Sequence, residues 1–535
     1  MKWLAQHPFL PALLGGLFLS ISFPFSGSLS PLVFCGFALL VYARQQLFLI
    51  QKKAFFRFFS YYSCFFTWNL GSTWWVANAS FSGAALAIGV NSLLMALVFS
   101  TWSSIQKREG SILSYWLLIP FWILFEYGHH RWDLSWPWLT LGNYFSIHTG
   151  WVQWYELTGT LGGSAWIIVV NLLVFNILNS YQNNQFISRK NWIILALSVL
   201  VPIGFSQLLL FKEERYTNGK KLNAVVVQPN VDPYTEKFAA GTTNEQLVDS
   251  FLRLANRHVD PQTDLVLGPE TALAGSFLEF ELEGFPFGQR LKDQVWSWPK
   301  AQLLIGASTV RLFDQKQSVA SNPVPNAPGR WYENYNTSLL VSKNQLTQYV
   351  HKSKLVPGVE LIPFSAYFPF LAAIAIENGG SSGTLGTEKE PQIIQQVRLS
   401  DTVKLAPIVC YESIYGDFVR QQVVKGAELL CILTNDGWWG NTPGYKQHFS
   451  FARLRAIETR RWVLRSANTG TSGSIDPCGK IVKRTSYWHR AAFQQQVELR
   501  QDLTFYAQYG DWLAGIALLL TLAFLSWKIF LKFSN

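Results

Sequence analysis

Charge is scarce in this sequence. Only 14% of its 535 residues are Asp, Glu, Lys or Arg, against about a quarter in an ordinary soluble chain. The shortage is local. Ten basic and four acidic residues fall between Met1 and Phe211, about 7% of that stretch, whereas the remainder of the chain carries about 19%. The two parts suit different solvents, which excludes an ordinary soluble enzyme. Cysteine is sparse as well. Cys35, Cys64, Cys410, Cys431 and Cys478 lie far apart with no Cys-x-x-Cys pair, which argues against a zinc ribbon or a dense disulfide framework. Cys35 and Cys64 sit in apolar runs and read as small buried hydrophobes. Neither an internal repeat nor a glycine-rich phosphate loop occurs. The net charge of +11 is divided between the two parts and never gathers into a groove-sized block, so nucleic acid is not an expected partner. Adjacent His129 and His130 are poorly placed to share one ion, and no metal site is expected.

Apolar residues, by contrast, are abundant. The chain is 49% hydrophobic and 16% aromatic, far too rich for a chain that buries nothing. A helix crossing about 30 Å of hydrocarbon needs roughly 20 mostly apolar residues. Stretches 8–25, 29–49, 55–77, 82–105, 111–128, 160–180, 191–211 and 512–531 approach that length. They predict a membrane α-helical bundle of about eight transmembrane helices, seven within residues 1–211 and the eighth within 512–535. No cleavable leader is expected, because the first apolar stretch follows a single Lys2 and runs straight into the second. Lys2, the group Arg44, Lys52, Lys53 and Arg57, the pair Lys107 and Arg108, the pair Arg189 and Lys190, and finally Lys528 and Lys532 all fall on one side if both termini are cytoplasmic. Residues 212–511 are then expected on the other side, the periplasm of a Gram-negative cell. Between the fifth and sixth spans, Trp132, Trp136, Trp138, Trp151 and Trp154 suit either an interfacial aromatic belt or the lining of a lipid-facing entrance.

Residues 212–511 change character. Short β-rich runs begin at Leu222, Asp264, Gln302, Ser338, Leu405 and Leu429, several of them nearly continuous apolar stretches, as for strands covered on both faces. Helical patterns lie between some of them, over Asn244–Val259 and Pro443–Arg465. The alternation predicts an α/β sandwich. Gly379, Gly380, Gly383 and Gly386 mark Glu377–Glu390 as a flexible loop or lid. The Asn336-Thr-Ser triplet matches a glycosylation sequon but is too common to carry weight.

Three polar residues stand at or just after strand ends: Glu270 behind Leu265-Val-Leu-Gly-Pro, Lys352 in Tyr349-Val-His-Lys, and Cys410 behind Leu405-Ala-Pro-Ile-Val. Together they would form a covalent-catalysis unit. A carboxylate can take the thiol proton, and an ammonium favours the thiolate and any oxyanion made from a carbonyl. Residue type alone leaves open that Cys410 is merely packed and that Glu270 and Lys352 are surface residues.

The strings around these residues resemble the nitrilase superfamily: Gly268-Pro-Glu-Thr-Ala, Lys352 ahead of Lys354-Leu-Val-Pro, and Cys410-Tyr-Glu followed by Thr434-Asn-Asp-Gly-Trp-Trp-Gly. The whole chain resembles the apolipoprotein N-acyltransferase family within it. That wider resemblance rests on Gln228-Pro-Asn, Glu360-Leu-Ile-Pro-Phe, Ser135-Trp-Pro-Trp-Leu, Tyr155-Glu-Leu-Thr-Gly, Arg455-Ala-Ile-Glu-Thr-Arg-Arg and Arg465-Ser-Ala-Asn-Thr-Gly. It implies an α-β-β-α nitrilase-like domain over 212–511, with Glu270 as general base, Lys352 steadying tetrahedral intermediates and Cys410 as nucleophile. Glu360 is implied as a support of the triad, and Tyr411 and Glu412 as residues flanking the nucleophile. Phe238 stands where the family usually has a tryptophan, a candidate for gripping acyl chains. Pro357-Gly-Val-Glu replaces the usual Pro-Phe-Gly-Glu. The implied reaction moves an acyl chain from a phospholipid, phosphatidylethanolamine by preference, to Cys410 as a thioester. The chain then passes to the α-amine of a diacylglyceryl-cysteine apolipoprotein. Neither metal nor organic cofactor is implied. A membrane-tethered nitrilase-type amidase would use water as second acceptor, though its substrate needs no bilayer. A transporter should carry charges inside its spans, where only Glu126 comes close.

Overall fold

The computed structural model describes residues 7–109, 111, 113–213, 219–237, 241–368, 370–371 and 383–534. The chain divides into two compact units, Met1–Glu214 together with Tyr509–Asn535, and Arg215–Gln508.

The first unit is helical: α1 (Phe9–Ser22), α2 (Val33–Leu49), α3 (Ala54–Thr73), α4 (Phe81–Glu109), α5 (Leu113–Trp116), α6 (Leu118–His129), α7 (Tyr155–Gln182), α8 (Arg189–Glu213) and, from the end of the chain, Trp512–Ser534. Among the described residues, Ser30–Leu49, Phe81–Lys107, Tyr155–Gln182 and Arg189–Glu213 are long and apolar enough to cross a membrane, while Phe9–Ser22 and Trp512–Lys528 are shorter apolar helices. The expected span 55–77 is α3 followed by a 3-10 turn, Trp74–Asn78. The expected span 111–128 is broken between α5 and α6. Pro120 lacks the N–H that would bond back to the Trp116 carbonyl, and the helix is interrupted for one residue, Leu117, which keeps helical φ and ψ. In α7, Gly159 takes φ 61° and ψ −169°, a conformation open to glycine, and the long regular part of the helix follows it.

Glu126 has a structural explanation. Its Oε1 accepts hydrogen bonds from Trp122 Nε1 at 3.0 Å and the Leu141 amide at 2.8 Å, and its Oε2 from Ser164 Oγ at 2.6 Å. A buried carboxylate needs such partners, and here they fasten the non-helical stretch between α6 and α7. Trp138 and Trp154 in that region are buried while Trp132 is exposed, so the five rings do not form one exposed belt.

The second unit is built on two sheets. The strands are β1 (Lys220–Gln228), β2 (Leu265–Leu267), β3 (Leu273–Leu278), β4 (Gln302–Phe313), β5 (Asn322–Pro323), β6 (Trp331–Val341), β7 (Gln348–His351), β8 (Ile394–Val397), β9 (Thr402–Val409), β10 (Leu429–Thr434), β11 (Val463–Ala467), β12 (Gly473–Ile475), β13 (Ile481–Arg484) and β14 (Ala491–Leu499). The first sheet has the order β14-β1-β2-β4-β6-β5, with β3 on β4 and β7 on β6; the second runs β13-β12-β11-β10-β9-β8. Successive strand residues face opposite ways, and the apolar runs use both faces. Leu222, Ala224 and Val226 of β1 pack with Leu405, Leu429, Cys431 and Leu433 of the other sheet. Val225 and Val227 pack instead with helices α9 (Asn244–Asn256) and α10 (Pro286–Ser297). Helices α11 (Gly416–Val424) and α12 (Pro443–Thr459) accompany the second sheet, giving an α-β-β-α sandwich.

Each β-rich run of the sequence lies on a strand. The helical pattern over Pro443–Arg465 overran. The helix stops at Thr459 because Arg460 turns left-handed at φ 50°, and Val463–Ala467 then pairs parallel with β10 as β11.

Candidate active site

Parallel strands deliver side chains to the sheet edge at their carboxyl ends, and four loops meet there. Glu270 follows β2 in a turn that crosses β4 at Gly306, where a Cβ would lie 2.7 Å from the Glu270 Cα. Lys352 directly follows β7. Its amide bonds the Asn336 carbonyl at 2.8 Å, so β6 fixes its backbone. The Lys352 ammonium donates to Glu360 Oε1 at 2.9 Å and to Glu270 Oε1 at 3.3 Å. All three side chains are buried. Burial works against charge on Lys352, but Glu360 and then Glu270 outweigh it and hold the ammonium well above the ordinary lysine range.

Cys410 directly follows β9 and opens a 3-10 turn, Cys410–Ile414. It takes φ 50°, a left-handed conformation uncommon for a residue with a Cβ. Its thiol is buried and pushed up, first by loss of water and then by Glu270, with Lys352 opposing. The same carboxylate and ammonium therefore bear electrostatically on the sulfur, and the fold brings Glu270, Lys352, Glu360 and Cys410 into one buried site.

Glu360 closes its own loop. Its Oε2 accepts the Val356 amide at 2.9 Å, and Gly358 between them takes φ 80°, which explains how Pro357-Gly-Val-Glu makes a tight turn. Glu412 joins two loops. Oε2 accepts the Val409 amide at 2.7 Å, while Oε1 accepts the amides of Ser353 at 2.5 Å and Lys354 at 3.2 Å. One carboxylate thus ties the residue before Cys410 to the residues after Lys352. Burial raises the Glu412 carboxyl to about 7 against those three amides and Lys352. Tyr411 is buried, edge-on to Tyr415 with ring centroids 5.4 Å apart. Phe238 and residues 377–382 of the glycine-rich stretch lie outside the described residues. The rest of that stretch is bonded to the site: the Leu385 amide donates to the Glu360 carbonyl at 2.9 Å and the Gly386 amide to the Asn334 carbonyl at 2.8 Å.

Sequence reasoning passed over two contributors. Asn336, set aside as a sequon, sits in β6 with its side-chain amide donating to Glu270 Oε1 at 2.8 Å and Glu360 Oε1 at 3.3 Å. Lys237 is buried with its ammonium on the Glu270 carbonyl at 3.0 Å and the Thr271 hydroxyl at 2.5 Å. Burial lowers Lys237 to about 7, opposed by Glu270 and Cys410. A polar Asn within a strand that is otherwise buried was the available clue to the first. The second had none, since only the fold brings Lys237 to Glu270.

The two-sheet unit and its buried cysteine define the class. Residues 223–501 match the carbon-nitrogen hydrolase family, and residues 15–173 match the apolipoprotein N-acyltransferase N-terminal domain. An apolipoprotein N-acyltransferase of Chlorobaculum tepidum is 30% identical over 96% of this chain and 95% of its own. One from Geobacter metallireducens is 26% identical over 97% and 96%. The solved structure of Saccharomyces cerevisiae Nit3, a nitrilase-superfamily member, matches at 16% identity and TM-score 0.34, over 52% of this chain and 90% of its own. The chain belongs to the apolipoprotein N-acyltransferase family. It is a bacterial membrane acyltransferase with a nitrilase-like domain.

Proposed function

We propose that this protein moves an acyl chain from a phospholipid, phosphatidylethanolamine in the first place, to the N-terminal α-amine of a diacylglyceryl-cysteine apolipoprotein, with Cys410 as the intermediate carrier. The observation that carries this reading is the buried Glu270–Lys352–Glu360 cluster acting on Cys410, in a chain that matches its N-acyltransferase relatives over nearly its full length. The Cys410 thiol gives its proton to Glu270 as sulfur attacks the ester carbonyl carbon. Lys352 neutralises the oxyanion. The C–O bond breaks, the proton passes from Glu270 to the departing lysophospholipid oxygen, and a thioester remains. The apolipoprotein amine then attacks the thioester, gives a proton back through Glu270, and releases the Cys410 thiol. Glu360 and Glu412 hold Lys352 and the Cys410 turn in place, Tyr411 packs behind the turn, and Phe238 is a candidate for holding the acyl chain.

The protein is proposed to lie in the inner membrane as a multi-pass protein of about eight spans, residues 1–211 and 512–535, with 212–511 in the periplasm. The placement rests on the one-sided basic clusters. The experiment that tests the reaction is intact mass spectrometry of the purified full chain after incubation with phosphatidylethanolamine vesicles. An added acyl mass, released by neutral hydroxylamine and absent from Cys410→Ala, is expected. Cys431→Ala and Cys478→Ala should keep it. An adduct that survives in Cys410→Ala overturns the assignment of the nucleophile.

A further inference from the structure

A second buried network reaches Cys410 through its backbone. The Cys410 carbonyl accepts two hydrogen bonds, from Ser413 Oγ at 2.7 Å and from His448 Nε2 at 3.1 Å. Ser413 has a single hydroxyl proton and gives it to this carbonyl. Its 2.9 Å contact with His448 Nε2 therefore needs a proton on the nitrogen, and Nε2–H faces both oxygens. That assignment holds in the neutral and the charged ring alike. On the far side of the ring, Nδ1 lies 2.9 Å from Asp436 Oδ1 and 3.2 Å from an Arg465 guanidinium nitrogen. Asp436 is gripped in turn by that nitrogen of Arg465 at 2.7 and 2.9 Å, and by Thr434 Oγ1 at 3.1 Å. His448, Asp436 and Arg465 are completely buried.

The network draws on the end of β10, on α12 and on β11, and its last link is the backbone of the one left-handed cysteine among the described residues. A left-handed turn at a residue with a Cβ persists only where its surroundings impose it. The peptide unit is planar and trans, so a fixed Cys410 carbonyl also fixes the opposite-pointing Tyr411 N–H and the origin of the Cys410 side chain. We propose that His448 is a positioning residue for acyl transfer. Through the Cys410 carbonyl it holds the turn that aims both the sulfur and the Tyr411 amide at the reacting carbonyl. The inference rests on the reading of Cys410 as nucleophile.

Two substitutions separate this role from packing or charge. In His448→Gln the side-chain amide nitrogen falls where Nε2 was and keeps a donor on the Cys410 carbonyl. In His448→Asn it falls where Nδ1 was and keeps only the Asp436 link. Both are neutral, so any effect of charge is shared. With the full chain and phosphatidylethanolamine vesicles, His448→Asn should lower kcat by about 30–100-fold, in line with an ångström-scale misplacement, with KM within about twofold. His448→Gln should stay within about fivefold of the parent. Equal losses in both variants, or an undiminished kcat in His448→Asn, would overturn the proposal. Ser413→Ala, which removes the other donor on the same carbonyl, keeps the test open if His448→Asn does not fold. It should lower kcat in the same sense, and an unchanged kcat there counts against the proposal. A parent enzyme that forms no Cys410 adduct would sink the reading of the nucleophile. An adduct formed equally fast by the parent and by His448→Asn would sink only the role of His448.

Discussion

Lys352 sits closer to Glu360, at 2.9 Å, than to Glu270, at 3.3 Å. Glu360 is thus the principal counterion. Both bonds to the Glu270 carboxylate arrive at Oε1, from Lys352 and from Asn336, and among the described residues Oε2 has no bond. The division suits the proposed roles, with Glu360 holding the ammonium and Glu270 Oε2 available for proton transfer.

Replacing each partner should separate acidity from proton transfer. Lys352→Met removes the charge that opposes the high thiol pKa, so both alkylation and acylation of Cys410 should slow. Glu270→Gln removes a negative charge that raises the thiol, so alkylation should hold within about threefold. Acylation should fall by about 10²-fold or more for want of a base. Iodoacetamide rates beside acyl-adduct rates check this. Equal losses of both in Glu270→Gln would refute Glu270 as the base.

Asn336 places one donor between two buried carboxylates. Asn336→Ala should cost about 1–3 kcal/mol in stability, the usual effect of leaving buried polar groups unpaired, and should slow acylation. Asn336→Asp should be worse on both counts, because it brings a third carboxylate to the pair. Thermal melting and adduct formation measure the order, and an Asp variant as active as the parent would remove Asn336 from the site's electrostatics.

Glu412→Gln should loosen the link between the Lys352 and Cys410 loops. A glutamine offers one oxygen where the carboxylate uses two, so its NH₂ must face either the Val409 amide or the amides of Ser353 and Lys354. A stability loss of about 1–3 kcal/mol is expected, with acylation slowed roughly tenfold or more by misalignment. Normal acylation in a destabilised variant would make Glu412 a purely structural tie.

Much of this architecture was written in local pattern. The β1, β2 and β4 runs are apolar on both faces because one face meets the other sheet and the other meets helices, and that doubling is visible in sequence. The end of α12 was not, because Arg460 in a left-handed turn carries no distinctive residue type. Glu270 and Lys352 are 82 residues apart and were paired only through strings that resemble a family. Asn336, Lys237 and His448 acquire their roles at the site through bonds to Glu270, Glu360 and Cys410, 24–66 positions away, which no periodicity reports. Apolar length marked 111–128 as one stretch and carried no sign of the one-residue interruption at Leu117.

The basic clusters make a separate prediction about placement. Alkaline phosphatase fused after Gly219 should be active and fused after Arg108 inactive, because the enzyme matures only outside the cytoplasm. The reverse pattern would overturn the proposed periplasmic placement of residues 212–511.

His351, next to Lys352, gives the site a pH-dependent tether. Its Nε2 lies 2.5 Å from Glu279 Oε1 and its Nδ1 2.9 Å from Glu388 Oε1, with the Tyr335 ring stacked 4.0 Å away. Glu333 and Arg311 also act on this cluster. Burial disfavours the imidazolium, but the two carboxylates outweigh it and raise the His351 pKa, while His351 lowers that of Glu388. A histidine whose pKa is higher folded than unfolded stabilises the fold fully below the unfolded value of about 6.5. The contribution is lost as pH rises through the raised folded value. Glu388 belongs to the strap whose Leu385 bonds the Glu360 carbonyl, so the loss should reach the active site. The melting temperature of the parent should exceed that of His351→Gln most clearly near about pH 6, where the imidazolium is formed. The gap should close as the solution becomes alkaline, and hydrogen exchange in residues 383–390 of the parent should rise toward that of the variant over the same range, after correction for intrinsic rates. A gap that stays constant with pH would mean that the ring acts through packing on Tyr335 and not through its charge.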